Sequence, residues 1–281
     1  MRRTKYKMTE GFKFNTRGKI TQVILNRPDK KNALLPDFWK EFPRKIKSIS
    51  DEGSYRAIIL SGEGADFCAG MDLSVFAANP KLNTDSTYQR ERIFHLIALI
   101  QDAISTLERC RVPVIAAIQG RCLGAGLDIV SACDLRFSTD TASFRIEETN
   151  VGIMADLGSL QRLTKLMPEA VVKEMAFSGE TLSAQRAYEI GFVNKTYSDA
   201  ETLEKGVFET AERIAAMAPL VISSSKRCIN YARDHSTADS LEQGALLQSA
   251  IFDLADVQRF MMSRAGKCDA PADLPELDQE L

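Results

Sequence analysis

Two patterns of hydrophobic and polar residues alternate along the first two hundred residues, one typical of strands and one typical of helices. Short apolar runs bounded by glycine or polar residues predict strands, and apolar residues spaced three or four apart predict helices. The predicted strands are 12–15, 20–26, 56–61, 113–118, 134–138 and 192–196. The predicted helices are 36–51, 88–109, 126–132, 159–164, 168–176 and 183–190. Because the elements repeat as ββα units, this part is expected to form an α/β spiral.

From about residue 200 onward the pattern is helical, with helices predicted at 200–217, 219–233 and 237–264. The last segment carries more apolar side chains than a solvated helix needs. We therefore expect an α/β core at residues 10–200 and a C-terminal helical region at residues 201–281. The tail after Gly266 contains Pro271, Pro275 and many acids, and is expected to be loose.

Composition narrows the possible functions without naming one. The chain has 281 residues, 44% of them hydrophobic and 26% charged, which is typical of a soluble globular protein. A formal net charge of −2 indicates no general attraction to nucleic acid. No apolar run approaches the length of a membrane span. Neither the basic first residues nor the last residues match an import signal, so a bacterial version is expected to be cytoplasmic.

Cysteine and histidine usage limits the chemistry further. The six cysteines show neither metal spacing nor a disulfide framework. With only two histidines, a Ser-His-Asp triad or a histidine-based metal site is not expected. Cys68 is interpreted as a small packing residue and not as a nucleophile, and no metal is expected.

Two acids follow elements that can place them in a pocket. Asp128 falls in the first turn of an apolar segment opened by Gly124, where free N–H groups and the helix dipole favour a carboxylate. Glu148 ends the strand-like run 142–147. Taken singly, each also fits an ordinary solvated acid.

A third acid, Asp156, lies between Gly152 and Gly158 in an otherwise apolar loop. Apolar surroundings raise the pKa of a carboxyl group toward the range useful for proton transfer. A solvated loop acid is the alternative interpretation.

Two strand–turn segments of small residues have the same form. The run 58–62 leads to Cys68-Ala69-Gly70-Met71, and the run 113–118 leads to Leu123-Gly124-Ala125-Gly126. Small residues allow a ligand to approach the backbone closely. Two such segments can direct two backbone N–H groups at one point, which is the geometry of an oxyanion hole.

These residues carry a resemblance to the crotonase, or enoyl-CoA hydratase/isomerase, superfamily. The matching segments, in family order, are Asn26-Arg27-Pro28, Lys31-Asn32-Ala33-Leu34, Phe67-Cys68-Ala69-Gly70-Met71-Asp72, Pro113-Val114-Ile115-Ala116-Ala117, Leu123-Gly124-Ala125-Gly126, Ala132-Cys133-Asp134-Leu135-Arg136 and Gln161-Arg162-Leu163. The resemblance implies an acyl-CoA thioester substrate, and no cofactor apart from the coenzyme A of that substrate. It also implies a C-terminal helical unit that builds a homotrimer, often paired into a hexamer.

Site residues carry over by position. The resemblance implies oxyanion-hole N–H groups at Met71 and Ala125. The implied substrate and CoA contacts are Arg27, Lys31, Ala33, Cys68, Ala69, Gly70, Asp72 and Gly124. Lys30, Arg259, Arg264 and Lys267 are further candidates for phosphate contacts, and each also fits a plain surface charge. One departure is Ala125, where the family generally has glycine.

The three acids select a branch of the superfamily. Hydratases usually have two glutamates, at the positions of Asp128 and Glu148, and a glycine at that of Asp156. The present pattern is similar to Δ3,5-Δ2,4-dienoyl-CoA isomerases of β-oxidation. By that resemblance, Asp156 takes a proton from carbon 2, Glu148 delivers one to carbon 6, and Asp128 tunes Glu148. An enoyl-CoA hydratase, a Δ3-Δ2-enoyl-CoA isomerase and a non-catalytic CoA-binding scaffold are the alternatives.

Overall fold

A computed structural model describes residues 11–76, 82–266 and 273–277 of the chain. Its main sheet has six strands in the order β1-β2-β3-β4-β6-β9. These strands are β1 Phe12–Arg17, β2 Ile20–Leu25, β3 Ala57–Gly62, β4 Val114–Ile118, β6 Leu135–Thr139 and β9 Lys195–Tyr197. The β1–β2 pair is antiparallel and all later neighbours are parallel. Strands β3 and β4 are buried along nearly their whole length, as expected for a parallel sheet covered on both faces.

A second, three-stranded sheet consists of β5 Arg121–Leu123, β7 Ser143–Arg145 and β8 Leu182–Ser183. The chain passes from β4 to β5 and from β6 to β7, so that it alternates between the two sheets. This alternation produces the spiral of ββα units predicted from the sequence, and the α/β class is confirmed.

Ten α-helices in the described residues connect and cover the sheets. They are α1 Phe38–Glu52, α2 Thr87–Arg109, α3 Ala125–Ser131, α4 Ser159–Leu166, α5 Glu169–Ser178, α6 Ala184–Glu189, α7 Ala200–Ala215, α8 Pro219–Asp234, α9 Thr237–Ile251 and α10 Leu254–Arg264. Most predicted helices agree within two or three residues. The single helix predicted at 237–264 is wrong: it breaks between α9 and α10, where the Asp253 side chain accepts the N–H groups of Ala255 and Asp256 and so starts a new helix.

Helix α7 packs against the main sheet, although the sequence assigned it to the C-terminal region. Its side chains Leu203, Val207 and Phe208 form a small core with residues of β3 and β4. The division at residue 200 stays a prediction, but the α/β layer extends at least to the end of α7.

The last three helices cover much less of the core. Neither α9 nor α10 has a buried residue. Large apolar side chains stay exposed along them, including Phe252 at 61% and Met261 at 66%. Helix α8 is fixed to the core by the buried Lys226, whose Nζ donates to Leu107 O at 2.7 Å and to Asp134 Oδ2 at 2.7 Å.

The expectation that the tail after Gly266 is loose is wrong for residues 273–277. Leu274 is 5% exposed and joins the main core. Asp273 accepts hydrogen bonds from Lys19 at 2.6 Å and from Arg56 at 2.8 Å, and Leu277 N donates to Asp51 O. This tail segment therefore packs against the core at α1 and the start of β3, because its apolar and acidic side chains match partners there.

Across the described part of the chain, no helix is long and apolar enough to span a membrane. No group of three histidine, cysteine or acidic residues in those same ranges could hold a metal ion.

Candidate active site

The two segments of small residues lie side by side. Cys68 N donates to Arg121 O, and Leu123 N donates to Cys68 O, both at 2.9 Å. A Cβ added to Gly70 would lie 3.6 Å from the backbone nitrogen of Ala125. The two segments are therefore adjacent, as an oxyanion hole formed by both of them requires, and the hole itself stays a prediction.

The N–H groups of Met71 and Ala125 are available to a ligand. The residues on both sides of Met71 pair with Leu34, since Leu34 N donates to Gly70 O and Asp72 N donates to Leu34 O. Ala125 is the first residue of α3, a position without an intrahelical acceptor. Within the described residues, neither N–H has a protein acceptor. Two such donors are what a thioester oxyanion requires.

An alanine fits at position 125 because the strained conformation lies one residue earlier. Gly124 has φ of 51°, whereas Ala125 is not among the described residues with positive φ. A Cβ at Gly124 would lie 3.1 Å from Glu148 Oε1. Glycine at 124 therefore lets the Glu148 carboxyl group lie directly against the turn.

The side chain of Asp128 is fully buried in α3. Its Oδ1 accepts the N–H of Ser159 at 2.5 Å, and its Oδ2 has no partner in the described part of the chain. Burial, followed by the nearby negative charge of Glu148, raises the pKa of Asp128 from 3.8 to about 7. This carboxyl group can therefore hold or release a proton near neutral pH.

Glu148 begins a 3-10 helix, Glu148–Val151, and does not end a strand as predicted: β7 already stops at Arg145. Burial and the charges of Asp156 and Glu147 raise its pKa, although backbone hydrogen bonds act in the opposite direction. Its Oε2 is buried and has no partner among the described residues. A raised pKa and an unpaired oxygen suit a group that donates a proton to a substrate.

Asp156 is half-buried in the loop before α4, and its burial raises the pKa of the carboxyl group. Its backbone carbonyl accepts a hydrogen bond from Gln101 at 2.5 Å, which fixes the loop against α2. Because the charge of Asp156 acts on Glu148 and that of Glu148 on Asp128, the three acids predicted from the sequence form one electrostatic cluster.

The predicted CoA loop is braced by its own side chains. Arg27 Nη1 donates to Ala33 O at 2.5 Å and to Asp72 Oδ2 at 3.1 Å. The pKa of Asp72 is lowered by hydrogen bonds from Ser74 and, to a smaller extent, by Arg27. Arg27 and Asp72 thus fix the loop next to Met71, and a direct contact of either with CoA stays a prediction.

The other predicted contacts are distributed over this surface. Ala69 and Gly70 form the turn before Met71, and Ala69 N donates to Lys31 O. Lys30 and Lys31 are exposed, as are Arg259 and Arg264 on α10. Lys267 lies outside the described residues. Cys68 is buried, and desolvation raises the pKa of its thiol to about 12, which agrees with a packing role and not with a nucleophile.

Sequence reasoning missed three residues that organise the site. Asn32, in a left-handed conformation with φ of 55°, donates to Glu63 O and Asp66 O and accepts from Arg27 N. Ser159 supplies the N–H that binds Asp128, and Arg162 lies over the turn before it. Asn32 and Arg162 were part of the recognised motifs, but a motif does not reveal which distant groups a side chain binds.

Comparisons with known proteins agree with this geometry. The family model described as "Enoyl-CoA hydratase/isomerase" matches residues 15–270. The peroxisomal Delta(3,5)-Delta(2,4)-dienoyl-CoA isomerase of Arabidopsis thaliana is 36% identical, over 88% of this chain and 90% of the relative. The mitochondrial enzyme of the same name from Homo sapiens is 36% identical over 85% of this chain and 74% of the relative. An enoyl-CoA hydratase structure from Polaromonas sp. JS666 covers 93% of this chain and 98% of its own, with a TM-score of 0.82 and 27% identity.

Proposed function

Because the chain belongs to the enoyl-CoA hydratase/isomerase family, we propose that it converts 3,5-dienoyl-CoA into 2,4-dienoyl-CoA during fatty-acid β-oxidation. The observation that supports this proposal most strongly is the presence of a third acid, Asp156. Asp156 stands with Glu148 and Asp128 in one cluster beside two available N–H groups. A hydratase-type site has no need of a carboxylate at position 156, and burying one is costly unless it is used.

The proposed reaction assigns one role to each of these groups. The thioester carbonyl oxygen accepts hydrogen bonds from the N–H groups of Met71 and Ala125. These hydrogen bonds stabilise the enolate that forms when a proton leaves carbon 2. Asp156 takes that proton. The electron pair moves along the conjugated chain, and Glu148 delivers a proton to carbon 6. One proton is lost and one gained, so the product is an isomer, and we propose that no cofactor takes part.

The protonation states required by this scheme match the surroundings of the two acids. Glu148 is the more deeply buried and lies beside two other acids, so it holds a proton more readily than an exposed glutamate. Asp156 is less buried, which favours its charged form relative to Glu148. After one turnover Asp156 carries the proton and Glu148 the charge. The starting state returns when Asp156 releases its proton to solvent and Glu148 takes one up, and Asp128, with a pKa of about 7, can carry that proton to Glu148.

The C-terminal helices supply the argument for assembly. Helices α9 and α10 expose a series of large apolar side chains that no other described residue covers. We propose that they pack against copies of the same chain in a homotrimer or a homohexamer. For a bacterial source we propose a cytoplasmic location.

Hydration of 2-enoyl-CoA is the alternative activity, since the same N–H pair would bind its carbonyl. It would use Glu148 with Asp128 and leave Asp156 without a role. A Δ3-Δ2 isomerase would likewise use fewer acids. Asp156 therefore distinguishes these possibilities.

The test compares two substrates and one isosteric variant. Wild-type protein is incubated separately with 3,5-dienoyl-CoA and with 2-enoyl-CoA. Ultraviolet absorbance follows the appearance of the conjugated 2,4-dienoyl-CoA in the first case and the loss of the conjugated 2-enoyl-CoA in the second. Asp156→Asn keeps the shape and removes the proton acceptor, so isomerisation should fall by about 100- to 10,000-fold. Binding of the CoA thioester should be nearly unchanged.

Glu148→Gln should show a comparable loss and Asp128→Asn a smaller one. Asp102→Asn, at an exposed ion pair with Arg109 on α2, is the matched control and should retain activity. Faster hydration than isomerisation by the wild type, or an active Asp156→Asn variant, would exclude the proposed function.

A further inference from the structure

Arg162 folds back from α4 over the turn that holds Asp128. Its Nη1 donates to Leu157 O at 3.4 Å. A Cβ on Gly158, where φ is 123°, would lie 1.9 Å from the same nitrogen. The guanidinium therefore occupies the space above Gly158, and only glycine leaves room for it there.

Two parts of the acid cluster depend on this turn. Ser159, the residue after Gly158, donates its N–H to Asp128 Oδ1 at 2.5 Å. Asp156 immediately precedes Leu157, whose carbonyl binds the guanidinium. A shift of the turn would therefore move the Asp128 hydrogen-bond donor and the proposed base together.

Arg162 is itself held in place by a buried partner. Its Nε and Nη2 donate to Glu108 Oε2 at 3.0 and 2.8 Å, and Nη2 also donates to Ser105 Oγ at 2.9 Å. Both side chains of the Arg162–Glu108 pair are no more than 15% exposed. Although burial acts against its charged form, Arg162 and Arg233 hold the pKa of Glu108 below its ordinary value. A buried charge pair with this geometry restricts side-chain orientation strongly.

The second oxygen of Glu108 extends the contact to the C-terminal helices. Arg233, in the last turn of α8, donates from Nη1 to Glu108 Oε1 at 2.5 Å. Asp234 then accepts hydrogen bonds from Arg233 and from Lys165 of α4. Glu108 thus joins the end of α8 to the arginine above the catalytic turn.

We propose that Arg162, fixed by Glu108, is the positioning residue of the acid cluster, and that Arg233 couples its position to helix α8. The proposal rests on the isomerase function proposed above, because it concerns the acids of that reaction. Arg162 acts through the turn 157–159 and is not required to touch the substrate.

The charge of Arg162 provides a readout that a purely structural role would not affect. The charged or titratable groups acting on Asp128 are Glu148 from the 3-10 helix, Arg162 from α4 and, by mutual interaction, Cys122 of β5. Burial and Glu148 raise the pKa of Asp128, whereas Ser159 and Arg162 lower it. Removing the positive charge should therefore raise the pKa of Asp128 further.

The experiment compares Arg162→Gln, which removes the charge, with Arg162→Lys, which keeps it but loses the two-pronged contact. Lys173→Gln, at an exposed ion pair with Glu169 on α5, is the matched control, since this pair lies outside the Arg162–Glu108–Arg233 contacts. For each protein we would measure kcat and KM with 3,5-dienoyl-CoA. Infrared difference spectra would follow the titration of Asp128, with the band assigned by its loss in Asp128→Asn.

Both Arg162 variants should lower kcat by about 10- to 100-fold, because small misplacements of catalytic groups cost rate, while KM changes little. The Asp128 titration should move upward most in Arg162→Gln, less in Arg162→Lys, which keeps the charge, and should stay close to wild type in Lys173→Gln. An unmoved Asp128 titration in Arg162→Gln, or an Arg162 effect on kcat no larger than that of Lys173→Gln, would overturn the proposal.

If Arg162→Gln does not fold, Glu108→Gln releases the arginine without altering it. Glu108→Gln should lower kcat with little change in KM, and wild-type kcat in that variant would contradict the positioning role. The infrared titration needs no turnover. A wild type that does not isomerise dienes would therefore refute the function alone, while the Asp128 titration would still decide whether Arg162 acts on the acids.

Discussion

Replacing Asp128 with asparagine should stabilise the folded chain above neutral pH while it impairs the enzyme. Asp128 is fully buried, one of its oxygens has no partner in the described residues, and its pKa is raised to about 7 by burial and by Glu148. An acid with a higher pKa in the folded than in the unfolded chain favours folding only while it is protonated. This stability is fully present below pH 3.8 and is lost as the pH rises to about 7.

The size of the effect follows from the two pKa values. A rise from 3.8 to about 7 corresponds to about 4 kcal/mol between the protonated and the charged form, and about 3 kcal/mol of it falls between pH 5 and pH 8. Asparagine stays neutral throughout and can still accept the Ser159 N–H. The stability of Asp128→Asn relative to the wild type should therefore increase by about 3 kcal/mol from pH 5 to pH 8.

Urea unfolding at several pH values, at one fixed protomer concentration, measures this difference. The ionisable groups that do not interact with Asp128 are common to both proteins, so their contributions cancel. Glu148→Gln should show a smaller pH-dependent gain in stability, since the buried Asp128 remains. A difference between wild type and Asp128→Asn that does not change between pH 5 and pH 8 would refute a raised pKa at this position.

Three further outcomes are expected. Ala125→Gly should leave turnover nearly unchanged, whereas Ala125→Val should lower it by about 100- to 1000-fold by disturbing the oxyanion-hole N–H; equal activity of the two variants would place the hole elsewhere. Light scattering at micromolar concentration should show a trimer or hexamer, and deletion from residue 237 should give dissociated or insoluble protein; a monomeric full-length chain would contradict this. In urea unfolding, Lys226→Met should lower the free energy of unfolding by about 3–5 kcal/mol, because Asp134 would lose its buried cation. Lys173→Met, at an exposed ion pair, should have little effect, and equal losses of stability in the two variants would exclude a special role for Lys226.

Sequence patterns predicted the parts of this fold that depend on long or repeated local signals. The buried strands β3 and β4 are continuous apolar runs, and the α1 and α2 helices show clear periodicity. The strands of the second sheet, with two or three residues each, are too short to show a period. The apolar residues Phe192 and Val193 suggested strand, but they are buried before β9 begins.

The candidate site shows the same division. Asp128, Glu148 and Asp156 were identified from neighbouring glycines and apolar residues, all within a few positions. The identity of the partners depends on contacts between distant segments, such as Arg162 with Glu108, 54 positions apart. The α9–α10 break depended on the capping Asp253, a signal that the apolar pattern on both sides obscured.

The tail segment 273–277 has a consequence for biosynthesis. Asp273 binds Lys19, 254 positions earlier in the chain, and Arg56, 217 positions earlier. During translation β1 and β2 emerge long before Asp273 is synthesised, so these contacts form late and cannot guide the early pairing of those strands. A ribosomal product that ends before residue 273 would lack the buried Leu274 and the carboxylate that binds Lys19 and Arg56. Such a product would expose more of its core to proteases near the end of α1 and the start of β3 than a chain that contains this segment.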